Sequence, residues 1–319
     1  MKKILAADIG GTNSRFAYFE TDGRKELSLV TTKWLLTKDN NSFGNLIDNL
    51  GKTEFPLKPG DADIAVFAVA GPVEKEVYCS PPFISWDIDI SNADKKYGLR
   101  SSFLINDFVA QAFACRSPVG ETAEKILDGE IKFDATAAVL GAGTGLGKAA
   151  LVPDNRGGFV AVPSEGGHAG FPFETEREFQ FMEFMKKELK EDYVTGNYVV
   201  SGRGISYVHR FLTGEKLEPK DVSKCFIKKC ETLEWSTRFY GRICRNFALE
   251  TLAQGGVYIA GGVAAKAPLL LKNKTFEKEF RSSKTMGHIL EKIPVYLITN
   301  EESGLWGSAM FGKQKLRKS

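Results

Sequence analysis

A chain with 43% hydrophobic and 11% aromatic residues can bury real cores, and 319 residues suit two domains of about 150 each. The formal net charge of +3 is small and dispersed, which argues against nucleic acid as a partner. Five scattered cysteines and three histidines show no CxxC or paired Cys/His spacing for zinc, so a reduced, soluble, cytoplasmic protein is expected.

The start, "MKKILAAD", mimics a signal peptide, but its apolar stretch stops at Asp8, short of the ~7–15 residues such a core needs. No run approaches the ~18 apolar residues of a membrane span, so no membrane partner is expected. "LAADIGGTNSRFAYFE" then reads as strand, tight turn, strand, a hairpin from about Ile4 to Phe19. A P-loop needs Lys-Ser/Thr after its glycines, and a dinucleotide fold needs GxGxxG entering a helix; neither is present. Gly10 and Gly11 permit close backbone approach, and Thr12 and Asn13 add donors, a concavity suited to an anion. Asp8, at the strand end, is placed to hold a hydrated Mg²⁺. An ordinary Gly-rich hairpin is the other reading of this segment.

"SSFLINDFVAQAFAC" sets Asn106 and Asp107 between an apolar strand and an apolar helix, where α/β sheets bind ligands. Asp107 equally suits a helix N-cap. From Thr136, "TAAVLGAGTGLGKAALVP" repeats the opening plan, with Thr144 in the turn and a second strand from about Gly147 to Val152. Two such hairpins about 130 residues apart suggest a duplicated domain gripping one polyphosphate. In "PSEGGHAGF", Glu165 and His168 flank two glycines, so that both side chains can converge on a sugar's hydroxyls.

A capping box from Thr175 to Glu178 opens the next helix, with Phe179, Met182, Met185 and Leu189 as its core face. "GRGISYVHRF" opens another helix, and a long one is expected from about Asp221 to Gln254, ended by Gly255–Gly256, with Cys225, Cys230 and Cys244 packing inside it. His209 has no partner in the sequence that argues for chemistry. In "GGVYIAGGVAAKAPLLL", a buried strand meets Gly261–Gly262 and then a helix, a pairing that favours a nucleotide nearby, though any α/β unit uses such glycines. The terminal "GKQKLRKS" reads as a solvated helix end.

Six motifs in this order, "DIGGTN", "INDF", "GAGTGLG", "EGGHAGF", "SGRG" and "IAGGV", resemble those of the bacterial glucokinase family, within the actin-like, hexokinase-like ATPase superfamily. The resemblance runs from residue 4 to the closing "IPVYLITNEESGLWGSAMFG". The zinc motif of the related ROK sugar kinases is absent, which favours the glucokinase branch. The resemblance implies an α/β chain with the two-domain actin-like (ribonuclease H-like) ATPase fold and a cleft between the domains. The smaller domain would span 1–110 plus 297–319, and the larger 111–296.

It further implies ATP-dependent phosphorylation of the 6-hydroxyl of glucose, with ATP and Mg²⁺ as cofactors and a homodimer as the assembly. Ala7, Asp8, Ile9, Gly10, Gly11, Thr12 and Asn13 would face the phosphates of ATP–Mg²⁺, with Asp8 toward the metal. Gly143, Thr144 and Gly145 would close on them from the other domain, and Gly261 and Gly262 would line the nucleoside pocket. Asn106, Asp107, Glu165 and His168 map onto the family's sugar-binding residues, and Asp107 onto its catalytic base. Two places depart from the family pattern. Asn197 stands where a sugar-contacting glutamate is usual, and Pro81–Pro82–Phe83 replaces a Thr-Asn pair before the retained Trp86. Another hexose (mannose, fructose or an N-acetylated sugar) or a catalytically silent sugar sensor are the alternatives.

Overall fold

Residues 4 to 7 of the first strand are buried without alternation, as a central strand covered on both faces requires. The computed structural model describes residues 1–22, 27–226 and 230–318. The chain divides into two compact units, Met1–Thr122 with Asn300–Ser319, and Ala123–Thr299. An expected boundary at 110 would cut a helix running from Asp107 to Ala114; the division falls after it.

The first unit holds β1 (Lys2–Ile9), β2 (Asn13–Thr21), β3 (Ser28–Leu36), β4 (Ile64–Val69), β5 (Tyr78–Cys79), β6 (Ile88–Asp89) and β7 (Ser102–Asn106). Its main sheet has the order β3-β2-β1-β4-β7; β1 is antiparallel to β2, and β4 runs parallel to both β1 and β7. Helices α1 (Phe43–Gly51) and α2 (Ala93–Tyr97) cover one face through Phe43, Leu46, Leu50 and Ala93. The opposite face carries α3 (Asp107–Ala114) and the C-terminal helix (Ser303–Lys318), joined by edge-on packing of Phe113 on Phe311, while Phe19 of β2 packs edge-on against Trp306. The short α4 (Pro118–Glu121) closes the unit.

The second unit holds β8 (Glu124–Leu127), β9 (Ala137–Ala142), β10 (Leu146–Pro153), β11 (Phe159–Ser164), β12 (Val257–Ala260) and β13 (Val295–Leu297), in the order β11-β10-β9-β12-β13-β8. The antiparallel β9–β10–β11 meander followed by parallel β12 and β13 repeats the plan of the first sheet. Around it lie α5 (Glu176–Leu189), α6 (Gly196–Val200), α7 (Gly202–Thr213), α8 (Pro219–Cys225), α9 (Glu231–Glu250), α10 (Gly262–Lys266) and α11 (Lys274–Phe280). Leu140, Phe181, Trp235, Phe239, Ile259 and Phe276 share the core between sheet and helices.

Several expectations for this unit are corrected. The long helix beginning near Asp221 is two elements, α8 and α9, with 227–229 outside the described residues, and α9 ends at Glu250, four residues before Gln254. Of its cysteines, Cys244 is buried while Cys225 and Cys230 are half-buried. The apolar face of α5 centres on Phe181 and Met185, while Phe179 is 43% exposed. The reason is Glu178, which turns inward to Arg242 and rotates the buried face with it. The capping box is only half formed: Thr175 accepts from the Glu178 N–H, but the Glu178 carboxylate takes the Glu174 N–H. "AAKAPLLL" does not continue as one helix, because Pro268 follows the end of α10 and starts a 3₁₀ turn.

Candidate active site

In the first unit, Ile9, Val69 and Asn106 lie in register at the carboxyl ends of three parallel strands. Neighbouring strands are ~4.8 Å apart, which sets the end of β1 about 10 Å from the end of β7. The Gly10–Asn13 turn and Asp107 therefore share one sheet edge.

The turn closes with the Gly10 N–H donating to the Asn13 carbonyl at 3.0 Å. The next two N–H groups, of Gly11 and Thr12, have no acceptor among the described residues. Two adjacent unfilled donors on a half-exposed turn form an anion-binding concavity. Glycine is required at 11, because a Cβ there would lie 2.6 Å from the Phe83 carbonyl oxygen.

Asp8 precedes this turn, and its side chain faces the start of the C-terminal helix, where a Cβ on Gly304 would come 3.2 Å from its Oδ2. Burial pushes the Asp8 carboxyl up, and the Arg15 guanidinium partly offsets this. Arg15 pairs across the strands with Asp8, stacks 4.2 Å over the Trp34 ring and donates to the Glu301 carbonyl. A hard cation such as Mg²⁺ takes one or two carboxylates plus phosphate oxygens and water, so a single carboxylate beside an anion nest fits it. Among the described residues no cluster of three or more His, Cys, Asp or Glu forms a metal cage.

At the end of β7 it is Asn106 that caps α3, accepting from the N–H groups of Phe108 at 2.9 Å and Val109 at 3.3 Å. The alternative of Asp107 as N-cap is thus corrected. The Asn106 Nδ2 donates to the Gly71 carbonyl at 3.0 Å, so this amide braces the sheet edge on both sides. Asp107, freed from capping, is half-buried in the first turn of α3, where its Oδ1 accepts from the Phe108 N–H at 2.9 Å. Burial pushes the nearby Cys79 thiol up to about 11, helped by the charges of Asp107, Asp87 and Glu74. It stays protonated at neutral pH and does not compete as a nucleophile.

The second unit repeats the turn. The Gly143 N–H donates to the Gly145 carbonyl at 2.8 Å, and the N–H groups of Thr144 and Gly145 have no acceptor among the described residues. The Gly143 carbonyl accepts from the Gly202 N–H at 3.2 Å, which sets the start of α7 against the turn. On the same edge β12 ends beside β9, and Gly261 has φ +94°, a left-handed conformation suited to glycine, before Gly262 opens α10.

Glu165 precedes and His168 ends a 3₁₀ turn (Gly166–His168) that follows β11; their Oε2 and Nε2 are 3.8 Å apart and both side chains are exposed. Gly167 between them is buried, and a Cβ there would collide with the Leu146 carbonyl oxygen. This loop therefore lies directly on the strand that leaves the Thr144 turn. Asn197, in α6, reaches the same strand: its Oδ1 accepts from the Leu146 N–H at 2.7 Å. His209 is a buried histidine within the packing of the second unit, with Nδ1 3.0 Å from the Thr232 hydroxyl and Nε2 3.6 Å from Glu215.

Three supporting residues escaped the sequence reading. Arg15 lies on the return strand of the first hairpin, Gly71 in the "AGP" after β4, and Gly304 in the last segment. For Gly71 the signal was present, a Gly-Pro step ending a buried strand. Arg15 and Gly304 become visible only when strands and helix are packed.

The glucokinase family model matches residues 5–315. The chain is 32% identical to a glucokinase of Brucella suis, over 98% of this chain and 92% of that protein. It is 28% identical to a glucokinase of Nostoc punctiforme, over 97% and 98%. A glucokinase crystal structure from an Antarctic psychrotroph superposes with a TM-score of 0.85 at 26% identity, covering 100% of both chains. The fold is the two-domain actin-like ATPase fold. No described helix is long and apolar enough to cross a membrane. The chain belongs to the glucokinase family, the ATP-dependent kinases of glucose.

Proposed function

We propose that this chain transfers the γ-phosphoryl group of ATP to the 6-hydroxyl of glucose, with Asp107 as the base. The observation that carries this reading is the shared sheet edge of the Gly10–Asn13 turn and Asp107, the turn with two unfilled N–H donors. Ala7 to Asn13 and Gly143 to Gly145 take the phosphates, Gly261 and Gly262 the nucleoside, and Asn106, Asp107, Glu165, His168 and Asn197 the sugar. Mg²⁺, when bound, neutralises charge on the phosphate oxygens, and Asp8 is the residue that would hold it.

Phosphoryl transfer passes through a loose transition state, so catalysis is mostly positioning and charge neutralisation. Backbone N–H groups of the turns stabilise the equatorial oxygens. Asp107, oriented by the Phe108 N–H, accepts the hydroxyl proton late. A homodimer is part of this reading and is tested by sedimentation. The activity is tested by a coupled assay of ADP and phosphorylated sugar with ATP–Mg²⁺ against a panel of hexoses. Turnover preferring glucose is expected. Preference for another hexose would shift the substrate to that sugar, and ATP binding without turnover would leave a sugar sensor.

A further inference from the structure

Asn197 is held where two candidate ligand loops of the second unit meet. Its Oδ1 accepts from the N–H of Leu146, the first residue after the Gly143–Gly145 turn, at 2.7 Å. A Cβ on Gly145 would lie 3.2 Å from this oxygen, and one on Gly167, inside the Glu165–His168 loop, 2.6 Å. The oxygen is thus wedged between the turn and the loop, and two glycines leave room for it. Because Leu146 offers an N–H, only the oxygen of the amide can face it. The Nδ2 then points away, and it makes no hydrogen bond to a described residue.

We propose that Asn197 is a positioning residue that ties the second phosphate turn to the sugar loop, and that toward a hexose it acts only as a donor. The tie follows from the geometry; its consequence for catalysis rests on assigning the turn to ATP and the loop to the sugar. A side chain that merely touched the sugar would affect sugar binding alone. A tie between the loops affects ATP as well.

Three proteins separate these cases: wild type, Asn197→Ala and Asn197→Asp. Alanine removes both the tie and the donor, whereas aspartate keeps an oxygen for Leu146 and loses the donor. In the ligand-free protein, amide hydrogen exchange at Leu146 is expected to be slow in wild type and N197D and about tenfold faster in N197A, the scale of one hydrogen bond. In steady-state kinetics N197A raises KM for both ATP and glucose about 5- to 10-fold, while N197D raises KM for glucose and leaves that for ATP within about twofold. Unchanged exchange at Leu146 in N197A overturns the tie. Faster exchange with an unchanged KM for ATP overturns its role at the phosphate turn. If wild type phosphorylates no hexose yet N197A still frees Leu146, the tie stands and the kinase assignment has failed. Thermal unfolding of each variant confirms folding, and Asn197→Leu, close in volume to the native residue but without an acceptor for Leu146, tests the tie in the same way if N197A does not fold.

Discussion

Asp8 shows how one side chain depends on residues far away in sequence. Its carboxylate meets the first turn of the C-terminal helix, where Gly304 leaves space that any side chain would fill. Helix propensity alone favours alanine over glycine by up to about 1 kcal/mol. Gly304→Ala should nevertheless lower activity, because its methyl must push Asp8 by a few tenths of an ångström. A displacement of 1 Å near the chemistry can cost about 100-fold, so a loss of about 3- to 10-fold in kcat/KM for ATP–Mg²⁺ is expected. Thermal unfolding and a Mg²⁺ titration of activity check this together: an equal or raised Tm with weakened Mg²⁺ dependence is the expected pair. Unaltered Mg²⁺ dependence would remove Asp8 from the metal site.

At the scale of elements, the two hairpins share one turn design. Each turn uses its first glycine N–H to close itself and leaves the next two without an acceptor among the described residues. Pro82 and Phe83 support the first turn: Pro82 lies beside Gly71, whose carbonyl Asn106 holds, and Phe83 backs Gly11. Gly11→Ala drives a Cβ against the Phe83 backbone, and should weaken ATP use at least tenfold in kcat/KM. Equilibrium binding of glucose should be nearly unchanged; equal loss of both would mean that the segment collapses as a whole. Both hairpins were legible in sequence because apolar strands bracket glycine turns, and the Asn106–Asp107 step because a strand runs straight into a helix. The cap was assigned to the wrong neighbour as one option, since Asn and Asp cap equally well and only geometry chooses. Phe179 was misplaced for a different reason. A buried ion pair at Glu178 overrides the apolar periodicity of α5, and nothing in the local pattern announces Arg242, 64 residues later. The bond between Asn197 and Leu146 was equally hidden, since one partner is a backbone N–H.

For the molecule as a whole, stability and chemistry draw on separate residues. The Arg242 guanidinium, 1% exposed, bonds the fully buried Glu178 at 2.6 and 3.2 Å and Glu279 at 2.9 Å, joining α5, α9 and α11. Burial pushes the Glu178 carboxyl up, but hydrogen bonds from Arg242 and the Glu174 N–H, with the charges of Arg242 and Arg238, outweigh it and hold its pKa below the ordinary 4.5. A depressed carboxyl stabilises the fold fully above its unfolded value and loses that contribution as pH falls through the folded one. Wild type should therefore lose stability below about pH 4.5, and Glu178→Gln should show a flatter curve there. At neutral pH the same variant should lose about 1.5–3 kcal/mol, the scale of charge-assisted hydrogen bonds, because Arg242 loses its fully buried partner and keeps Glu279 and Glu174. Denaturant unfolding across pH checks both; a variant as stable as wild type would show the pair to be dispensable. The two units share one sheet plan, and family membership makes the molecule an ATP-dependent glucose kinase. The central claim within that identity is that Asp107 takes the hydroxyl proton. Its most direct test is kcat for glucose phosphorylation by Asp107→Ala at saturating ATP–Mg²⁺ and glucose. A fall of about 10²- to 10⁴-fold is predicted, the usual span for a general base; turnover near that of wild type would contradict the assignment.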